Sequence, residues 1–476
     1  MNIDVVPAGP DLASGSPQYA LQPLAQWAAD VTAADIPVDV LTQAKWCVLD
    51  TVGVVLAASS DPAVRQVIRA ERVIDQGDQA RVFISGERFS IPVAGRINAF
   101  AASTPELADN VSVHANESNV PLALAYGESH QLSGLDVLTS IVVGDEVARR
   151  VHDTYFRGKK SQRDFPVGIP SALNTVGSGV TAARLLRQDG GRMFDTTNVA
   201  LNLIASALDV TVLSGRPLKP MLFSGWAVYS GYAAAVYAQN GITAADDSFE
   251  SDSAGWLHGA AHEWELGELT RDLGARWELA RPDRKRHASC GFSHAALDGS
   301  LQLLDAGDFE LADIERIRVQ LFPFAFETVG VRRGDPRTAN AAKFDLYYLI
   351  ATALTRRDII RIADTDEAVL PTRLSDPAVR GLMDKIQVEP DPDITLDARF
   401  SARVTFDLSD GRSRELFVKD ARGKGANQLT EHEIHDKFRS LATPVLGEAR
   451  AEQVRVAVDA MDQLANVRTL VDLLVL

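Results

Sequence analysis

The stretch from Asn98 to Arg150 constrains the fold more than any other part of this chain. A run of small residues, Asn98–Thr104, leads into a polar segment, and two apolar segments follow, Val120–Glu128 and Leu135–Arg150. Such apolar runs are typical of helices buried against other helices. The polar residues are Glu106, Asp109, Asn110, His114, Asn116, Glu117 and Asn119. A polar loop between buried helices is a common place for binding and catalysis, although the pattern also fits an exposed connection.

Length, charge and cysteine content narrow the class of protein. A chain of 476 residues is too long to fold around a single hydrophobic core, so we expect two or three domains. The net charge of −16 argues against nucleic acid or an anionic membrane as a partner. Cys47 and Cys290 are the two cysteines, which excludes a disulfide framework. The N-terminus lacks a signal-peptide pattern, and no uninterrupted apolar run reaches about 18 residues. We therefore expect a cytoplasmic protein without a transmembrane helix.

Helical patterns dominate the first half. Residues 1–18, rich in Gly, Pro and Ser, are predicted to form a flexible arm, and residues 19–275 a large helical domain. Asp35 and Pro37 form a helix start, with Asp35 as the cap. Helices with many buried positions are predicted at Ala44–Ala58, Pro170–Leu186, Thr197–Leu213 and Trp226–Asn240.

The pattern changes in residues 276–428, where alternating apolar residues indicate strands. Ile317, Val319 and Leu321 alternate with polar residues. Residues 402–408 alternate again, turn at Ser409–Gly411 and return through Leu416–Val418, which predicts a β-hairpin. Helices are predicted between the strands at His294–Leu304, Phe344–Thr355 and Pro377–Lys385, and again throughout residues 429–476. We therefore predict a mainly α protein, in which a smaller α/β (α+β) domain is inserted into a large all-helical domain to which the last helices return.

Two motif-like segments do not support the function that their letters suggest. Gly177–Ala182 matches a dinucleotide-binding fingerprint, but no strand precedes it, so we interpret it as close helix packing. His258 and His262 have the spacing of metal ligands on one helical turn. The pair lacks the internal Glu of the HExxH pattern, and Gly259 weakens the helix. We therefore predict no metal site.

A basic cluster lies where the helical pattern ends. Lys285 and Arg286 stand within a run of three cations that is followed by His287 and Cys290. Domain junctions are favoured places for clefts. The cations could bind a di- or tricarboxylate and the imidazole could transfer a proton; a solvated basic linker fits the same letters. Lys219 similarly interrupts a run of apolar helices.

The order of these segments resembles the MmgE/PrpD family, which includes 2-methylcitrate dehydratase, cis-aconitate decarboxylase and iminodisuccinate epimerase. The resemblance is colinear over roughly residues 20 to 470. The segments that carry it are Leu49–Gly53, Asn98–Glu128, Gly134–Ala148, Lys219–Met221, Gly225–Ala234, Lys285–His294, Ala342–Tyr348 and Lys437–Phe438.

The resemblance implies a helical domain with an inserted α/β lid domain, an active site between the two, a homodimer, and no metal or organic cofactor. His114 matches the catalytic histidine, and Lys219 and Lys285 match the two active-site lysines. Cys290 falls where family members carry His or Cys. Glu106 aligns with the first acidic residue of the family's loop, and Asn110 aligns with a Thr four residues later.

The family reactions share one step, removal of a proton next to a carboxylate or imine. That step needs cations to stabilise the enolate, a base and a second proton donor. We expect His114 to act as base or acid and Lys219 as its opposite. Lys285 and Arg286 would stabilise the enolate. Glu106 or Asp109 would orient His114. The residues predicted to bind substrate are Asp109, Asn110, Asn116, Arg286 and Cys290.

Three functions fit this reading. The first is a cofactor-independent hydro-lyase acting on a small hydroxy di- or tricarboxylate. The second is an epimerase or isomerase like iminodisuccinate epimerase. The family's decarboxylases and several other members carry a His shortly before the Gly177 helix, whereas this chain has none between His152 and His258, which favours this alternative. The third is a catalytically silent family member that binds a carboxylate.

Overall fold

A computed structural model of the chain describes residues 18–108, 114–156, 164, 174–205 and 218–476. Helices make up most of these residues, and the strands form two small sheets. This confirms the prediction of a mainly α protein with a small α/β part. Apart from residue 18, the predicted flexible arm lies outside the described residues, and the predicted domain boundaries remain predictions.

The longer helices are defined by their end residues. They are α1 Gln22–Asp30, α2 Val38–Ala57, α3 Pro62–Ile74, α4 Ile91–Ser103, α5 Ala115–His130, α6 Gly134–Phe156, α7 Asn174–Leu185, α8 Gly190–Asn202, α9 Trp226–Gln239, α10 His294–Ala306, α11 Leu346–Arg356, α12 Pro377–Lys385, α13 Glu431–Leu446, α14 Glu448–Asp459 and α15 Arg468–Leu474. Shorter helices are Leu218–Pro220, Trp256–Ala260, Pro323–Ala325, Ala339–Ala342 and Leu370–Ser375.

The strands form one two-stranded and one four-stranded sheet. Their bounds are β1 Ala80–Arg81, β2 Arg88–Phe89, β3 Ile314–Leu321, β4 Ile386–Pro390, β5 Ala402–Leu408 and β6 Ser413–Val418. The larger sheet has the order β4-β3-β5-β6, with β3 parallel to β4 and antiparallel to β5. β5 and β6 pair as the predicted hairpin, and Gly411 in their turn has a φ of 84°. The alternation of buried residues along β3 places Ile317, Val319 and Leu321 in the core.

Helix α2 is a core helix. By length and composition alone, Val38–Ser60 could cross a membrane, since an 18-residue window within it has a mean hydropathy of 1.4. However, 67% of that window is buried inside the protein, where α2 packs against α4, α5, α6 and α13. Burial on most faces therefore explains its apolar composition.

Two details of the helix prediction were wrong. Asp35 does not cap α2, because its carboxylate accepts a hydrogen bond from the backbone N–H of Thr32 (2.8 Å) and closes a separate short turn. The helix predicted at Thr197–Leu213 begins earlier, at Gly190, because the Asp189 side chain caps it by accepting from the N–H of Arg192 (2.9 Å). It ends at Asn202, and residues 206–217 lie outside the described residues.

The Gly177 segment lies inside α7, where it packs against α6. A Cβ atom on Gly177 would lie 2.8 Å from the Cβ of Ala148 and 3.1 Å from the carbonyl oxygen of Gly144. These distances leave no room for a side chain, so the glycine permits close approach of two helices. The interpretation as helix packing is confirmed.

The C-terminal helix α13 packs against α2. A Cβ on Gly53 would lie 3.0 Å from the Phe438 ring, and Lys437 forms a salt bridge of 2.5 Å with Asp50. The segment that carries Lys285 is held by a hydrogen bond from the N–H of Arg284 to the carbonyl oxygen of Gly423 (2.7 Å). The basic segment thereby lies between the helical region and the α/β part.

Candidate active site

Glu106 is the centre of a buried charge cluster. It lies three residues beyond the end of α4, has a φ of 55° and is 1% exposed. Its Oε2 accepts a hydrogen bond from Nζ of Lys285 at 2.8 Å, and its Oε1 is in contact with Nζ of Lys219. Each lysine is also 1% exposed. The structure thus brings together three of the residues predicted from the sequence, with one carboxylate between two ammonium groups.

Two further lysines hold the backbone of the same turn. Nζ of Lys343 donates to the carbonyl oxygen of Thr104 (2.7 Å), and Nζ of Lys437 donates to that of Leu107 (2.8 Å). Lys343 follows the short helix Ala339–Ala342, and Lys437 lies on α13. A non-glycine residue with positive φ persists where its surroundings hold it in place. The conformation of Glu106 is therefore fixed by distant parts of the chain.

The two lysines that contact Glu106 have depressed pKa values. Burial lowers the pKa of Lys219 well below the ordinary lysine value, and the neighbouring charge of Lys285 lowers it further. Burial also lowers the pKa of Lys285, although Glu117, Cys290 and Asp50 act in the opposite direction. One carboxylate cannot balance two ammonium groups in a medium of low dielectric constant. Both ammonium groups are therefore stronger acids than that of an ordinary exposed lysine.

His114 and Glu117 form a second pair at the start of α5. His114 precedes the helix with a φ of 64°, and its Nδ1 lies 2.8 Å from Oε1 of Glu117. Burial would raise the pKa of Glu117, but His114 and Lys285 outweigh it and hold the pKa below the ordinary value. The ionised carboxylate accepts a hydrogen bond from the N–H at Nδ1. The other ring nitrogen, Nε2, is then unprotonated in the neutral imidazole and can accept a proton.

This pairing corrects the orienting role predicted for Glu106, whereas the same role for Asp109 stays a prediction. We expected Glu106 or Asp109 to orient His114, but the oxygens of Glu106 meet Lys285 and Lys219, and Glu117 lies at Nδ1. Asp109 lies outside the described residues, as does Asn110.

A π-helical turn brings the two pairs together. The short helix that contains Lys219 runs into a π-turn at Met221–Gly225, and such turns are frequent at functional sites. Nζ of Lys219 lies 4.6 Å from the centre of the Phe223 ring, and His114 meets that ring edge-on at 6.0 Å. Ser224 donates to Oε2 of Glu117 (2.8 Å). The turn therefore connects the lysine cluster to the histidine pair.

Cys290 lies beside the lysine cluster in a buried position. Burial raises the pKa of its thiol, although Lys285, Lys219 and Lys424 act in the opposite direction. Its backbone N–H donates to the carbonyl oxygen of Lys343 (3.0 Å). The side chain is therefore a neutral thiol, which suits a substrate contact or packing better than a nucleophile.

Asn116 and Arg286 have contrasting surroundings. Asn116 is fully buried, and neither atom of its amide has a hydrogen-bond partner within the described part of the chain. An unpaired buried polar group costs about 1–3 kcal/mol, so a substrate contact, as predicted, would satisfy it. The Arg286 side chain is 45% exposed and lies 3.5 Å from Asp298. No described contact brings Arg286 into the lysine cluster.

His258 and His262 do not share a helical turn. The short helix that contains His258 ends at Ala260, two residues before His262. The His258 ring instead meets Trp264 edge-on at 4.8 Å. The spacing that suggested metal ligands is therefore not realised on a helix.

Sequence reasoning missed several residues of the site. Glu117 was seen as polar but received no role, although its spacing of three residues from His114 at a helix start could have indicated the pair. Lys343 and Lys437 were noticed only as parts of matching segments. No local pattern indicates that they bind the backbone of the Glu106 turn, because those contacts span 239 and 330 residues of sequence.

A helical domain joined to an α/β part, with a buried cluster of lysine, carboxylate and histidine near their junction, defines a class of enzymes that handle carboxylates. Residues 22–267 match the MmgE/PrpD N-terminal domain, and residues 287–463 match the MmgE/PrpD C-terminal domain. These matches cover most of the chain. The chain belongs to the MmgE/PrpD family.

Similar proteins come from fungi and a mammal. A cis-aconitate decarboxylase-like protein of Aspergillus oryzae is 25% identical over 95% of this chain and 96% of its own length. A cis-aconitate decarboxylase of Aspergillus terreus is 22% identical over 95% of each chain. A cis-aconitate decarboxylase of Mus musculus is 22% identical over 91% of this chain and 89% of its own. The family and these relatives support a lyase of the dehydratase or decarboxylase type that acts on carboxylates.

Proposed function

We propose that this protein is a cofactor-independent hydro-lyase that removes a proton next to a carboxylate of a small hydroxy di- or tricarboxylate and releases water. The observation that carries the proposal is the buried carboxylate of Glu106 between Nζ of Lys219 and Nζ of Lys285. The His114–Glu117 pair lies beside it, across the Phe223 ring.

Lys285 is suited to stabilise the charge that develops on the substrate. When a proton leaves the carbon beside a carboxylate, negative charge moves onto the carboxylate oxygens. A preorganised buried cation stabilises this charge more strongly than water does, because the local dielectric constant is low. Lys285 is 1% exposed and anchored on Glu106, so it needs little reorganisation during the reaction.

In the proposed reaction His114 accepts one proton and Lys219 donates another. Nε2 of His114 takes the proton from carbon, and the electron pair of that C–H bond forms the new C=C bond. The C–O bond then breaks, and the leaving hydroxyl departs as water with a proton from the Lys219 ammonium group. The depressed pKa of Lys219 makes it a better acid than an ordinary lysine. Solvent restores both groups after release of the unsaturated carboxylate.

A decarboxylase is the second candidate, and the names of the similar proteins favour it. Loss of carbon dioxide also leaves a carbanion beside a carboxylate, so the same cations would stabilise it. The absence of any His between His152 and His258 argues against a decarboxylase and favours an epimerase, since the decarboxylases and several other members of the family that this chain resembles carry a histidine in that interval.

The resemblance also carries a proposal about assembly and location. We propose a cytoplasmic homodimer that binds neither nucleic acid nor membrane. Light scattering on the purified protein measures its mass directly, and a mass of one chain would contradict the dimer.

The test of function is proton NMR in deuterated buffer with malate, citramalate, citrate and cis-aconitate. Loss of water with new vinyl protons supports the hydro-lyase, and release of carbon dioxide from cis-aconitate supports the decarboxylase. Deuterium that enters beside a carboxylate without net conversion favours the epimerase. No exchange with any compound would contradict the catalytic roles and leave the carboxylate-binding member. Lys285→Met is the control for a contaminating enzyme.

A further inference from the structure

A cavity of about 470 Å³ lies between the helical region and the α/β part, next to the proposed active site. The described residues that line it include none of Glu106, His114, Lys219 and Lys285. Its walls come from α6, from the segment that precedes the basic cluster, and from two loops of the α/β part. Charged residues of the described lining include Arg149, Arg281, Asp283, Arg399, Lys419 and Lys424. A volume of this size is typical of small-molecule sites.

Lys424 is a buried cation in the wall of this cavity. It is 3% exposed, and its Nζ has no hydrogen-bond partner within the described part of the chain. Asp283 approaches it to 4.0 Å, and the Phe400 ring centre lies 3.8 Å away. A buried ammonium group without hydrogen bonds carries a large desolvation cost. An anionic ligand in the cavity would supply the missing acceptors.

A second cation of the cavity is also only weakly paired. Arg399 lies over the Phe400 ring at 5.0 Å and donates to the carbonyl oxygen of Leu396 (3.2 Å). Burial lowers the pKa of Arg399 to about 10, and the neighbouring charge of Arg149 contributes. With a pKa of about 10 the Arg399 side chain is still charged at neutral pH, so it adds positive potential to the interior of the cavity.

The rim of the cavity adds to the positive charge. Among the described residues, no carboxylate lies within ion-pair distance of the exposed Arg281 or Lys419. The lining contains six basic and four acidic residues among those that the structure describes. Glu278 pairs with Arg276 at 2.8 Å, and Arg149 pairs with Asp153 at 2.8 Å. The remaining charged residues of the described lining are the cations Arg281, Arg399, Lys419 and Lys424 and the acids Asp283, Asp397 and Asp420. The protein as a whole carries a net charge of −16. The excess of cations in this cavity therefore does not reflect the overall composition and is specific to this site.

We propose that this cavity is a second anion-binding site, which takes a small polyanion with two or more carboxylates and binds one of them on Lys424. The site goes beyond the proposed reaction, because none of the described residues that line it has a role in that reaction. It adjoins the active site through Gly291, where an added Cβ would lie 3.1 Å from Nζ of Lys424. Binding there requires no turnover.

Calorimetric titration with tricarballylate tests the site in the intact protein. Lys424→Met should weaken binding at least tenfold, since a hydrogen bond to a charged group contributes roughly that much. Arg281→Gln, on the exposed rim, should weaken binding about threefold and leaves the buried structure untouched. Lys385→Met, which removes a lysine outside the cavity, should bind as the unmodified protein does. A titration with inorganic phosphate tests whether the ligand is a carboxylate or a phosphate.

The outcomes separate this site from the active site. Weaker binding in both cavity variants, with melting temperatures no lower than that of the unmodified protein, supports the proposal even if the NMR experiment finds no turnover. Weaker binding in Lys424→Met with unchanged binding in Arg281→Gln would mean that the ligand does not extend through this cavity to its rim, which would overturn the proposal. Equal affinity in all variants, or no binding of tricarballylate, would also overturn it. Phosphate that binds more tightly than tricarballylate would overturn the carboxylate assignment.

Discussion

Nδ1 of His114 lies 2.8 Å from Oε1 of Glu117, at the first turn of α5. The helix N-terminus favours a negative charge at this position, and Ser224 adds a hydrogen bond to the other oxygen of Glu117. The carboxylate therefore fixes both the orientation and the tautomer of the imidazole. This arrangement resembles, in its physics, the carboxylate that orients a catalytic histidine in a hydrolase triad.

Glu117→Gln removes the charge that fixes the His114 tautomer while keeping the size of the side chain. We expect kcat to fall at least about 100-fold, which is the usual contribution of a general acid or base. Steady-state kinetics on the substrate found by NMR measure the effect. Glu128→Gln is the matched control, since Glu128 is also buried on α5 but pairs with Arg81. It should lower the melting temperature and spare kcat; equal loss of kcat in both would contradict the role of Glu117.

Lys285→Ala should lower turnover at least about 100-fold with the fold retained, because the enolate loses its buried cation. His114→Ala should do the same through loss of the base. The control is Arg286→Ala, which removes the adjacent cation, whose side chain is 45% exposed beside Asp298. We expect its rate to stay within about threefold of the unmodified enzyme. A large loss in Arg286→Ala would restore the role that the sequence suggested for it.

Glu106→Gln leaves two buried ammonium groups without their shared carboxylate. Breaking a buried ion pair costs about 3–5 kcal/mol of unfolding free energy. The added substitution Lys219→Met removes one of the two cations and should recover at least about 1 kcal/mol of that loss. Urea unfolding of the single and double variants measures this coupling. The control cycle combines Glu106→Gln with Lys45→Met, which breaks the more exposed pair with Asp462. In that cycle the two losses of unfolding free energy should add. Equal coupling energies in the two cycles would contradict the shared carboxylate.

The sequence predicted the local elements of the fold well, because their signals are local. Alternation predicted β3 and the β5–β6 hairpin, and small residues predicted the close packing at Gly177. Helix starts were less certain: Asp35 and Asp189 are both acids before a helical segment, and only Asp189 caps a long helix. Which acid serves as a cap depends on the backbone conformation around it, which the residue type alone does not determine.

The sequence predicted most residues of the candidate site, but it did not predict which of these residues contact each other. His114, Lys219 and Lys285 were identified through resemblance, and the structure places them around Glu106 and Phe223. The contacts of Lys219 and Lys285 with Glu106 join distant parts of the chain, and no short motif encodes them. The His114–Glu117 pair is local, since the two residues lie three positions apart.

Lys343 should give the protein a pH-dependent stability. Burial lowers the pKa of Lys343 from 10.5 to about 8, so between these values the unfolded chain binds more protons than the folded one. The contribution of Lys343 to the unfolding free energy therefore rises with pH across this window, by at most about 1.4 kcal/mol per pH unit. Below about pH 8 both states are protonated, and this contribution no longer changes.

Urea unfolding of the unmodified protein and Lys343→Met between pH 7.5 and 9.5 checks this prediction. The difference in unfolding free energy, unmodified minus variant, should increase with pH. Lys385→Met, which removes another lysine bound to a backbone carbonyl, controls for the lost charge. A difference that stays constant over the range would mean that Lys343 keeps an ordinary pKa in the folded protein.

Cys290 should resist thiol reagents in the native protein. Burial raises the pKa of its thiol and removes it from solvent, and the thiolate is the reactive form. With Cys47 also buried, a colorimetric disulfide reagent at pH 7.5 should titrate neither cysteine within minutes, and both after denaturation. The variant Cys47→Ala isolates the signal of Cys290. Fast reaction of Cys290 in that variant would mean that the site opens in solution. Slow reaction that accelerates when Lys343→Met is added would tie the closure to the hydrogen bond from Nζ of Lys343 to the carbonyl oxygen of Thr104.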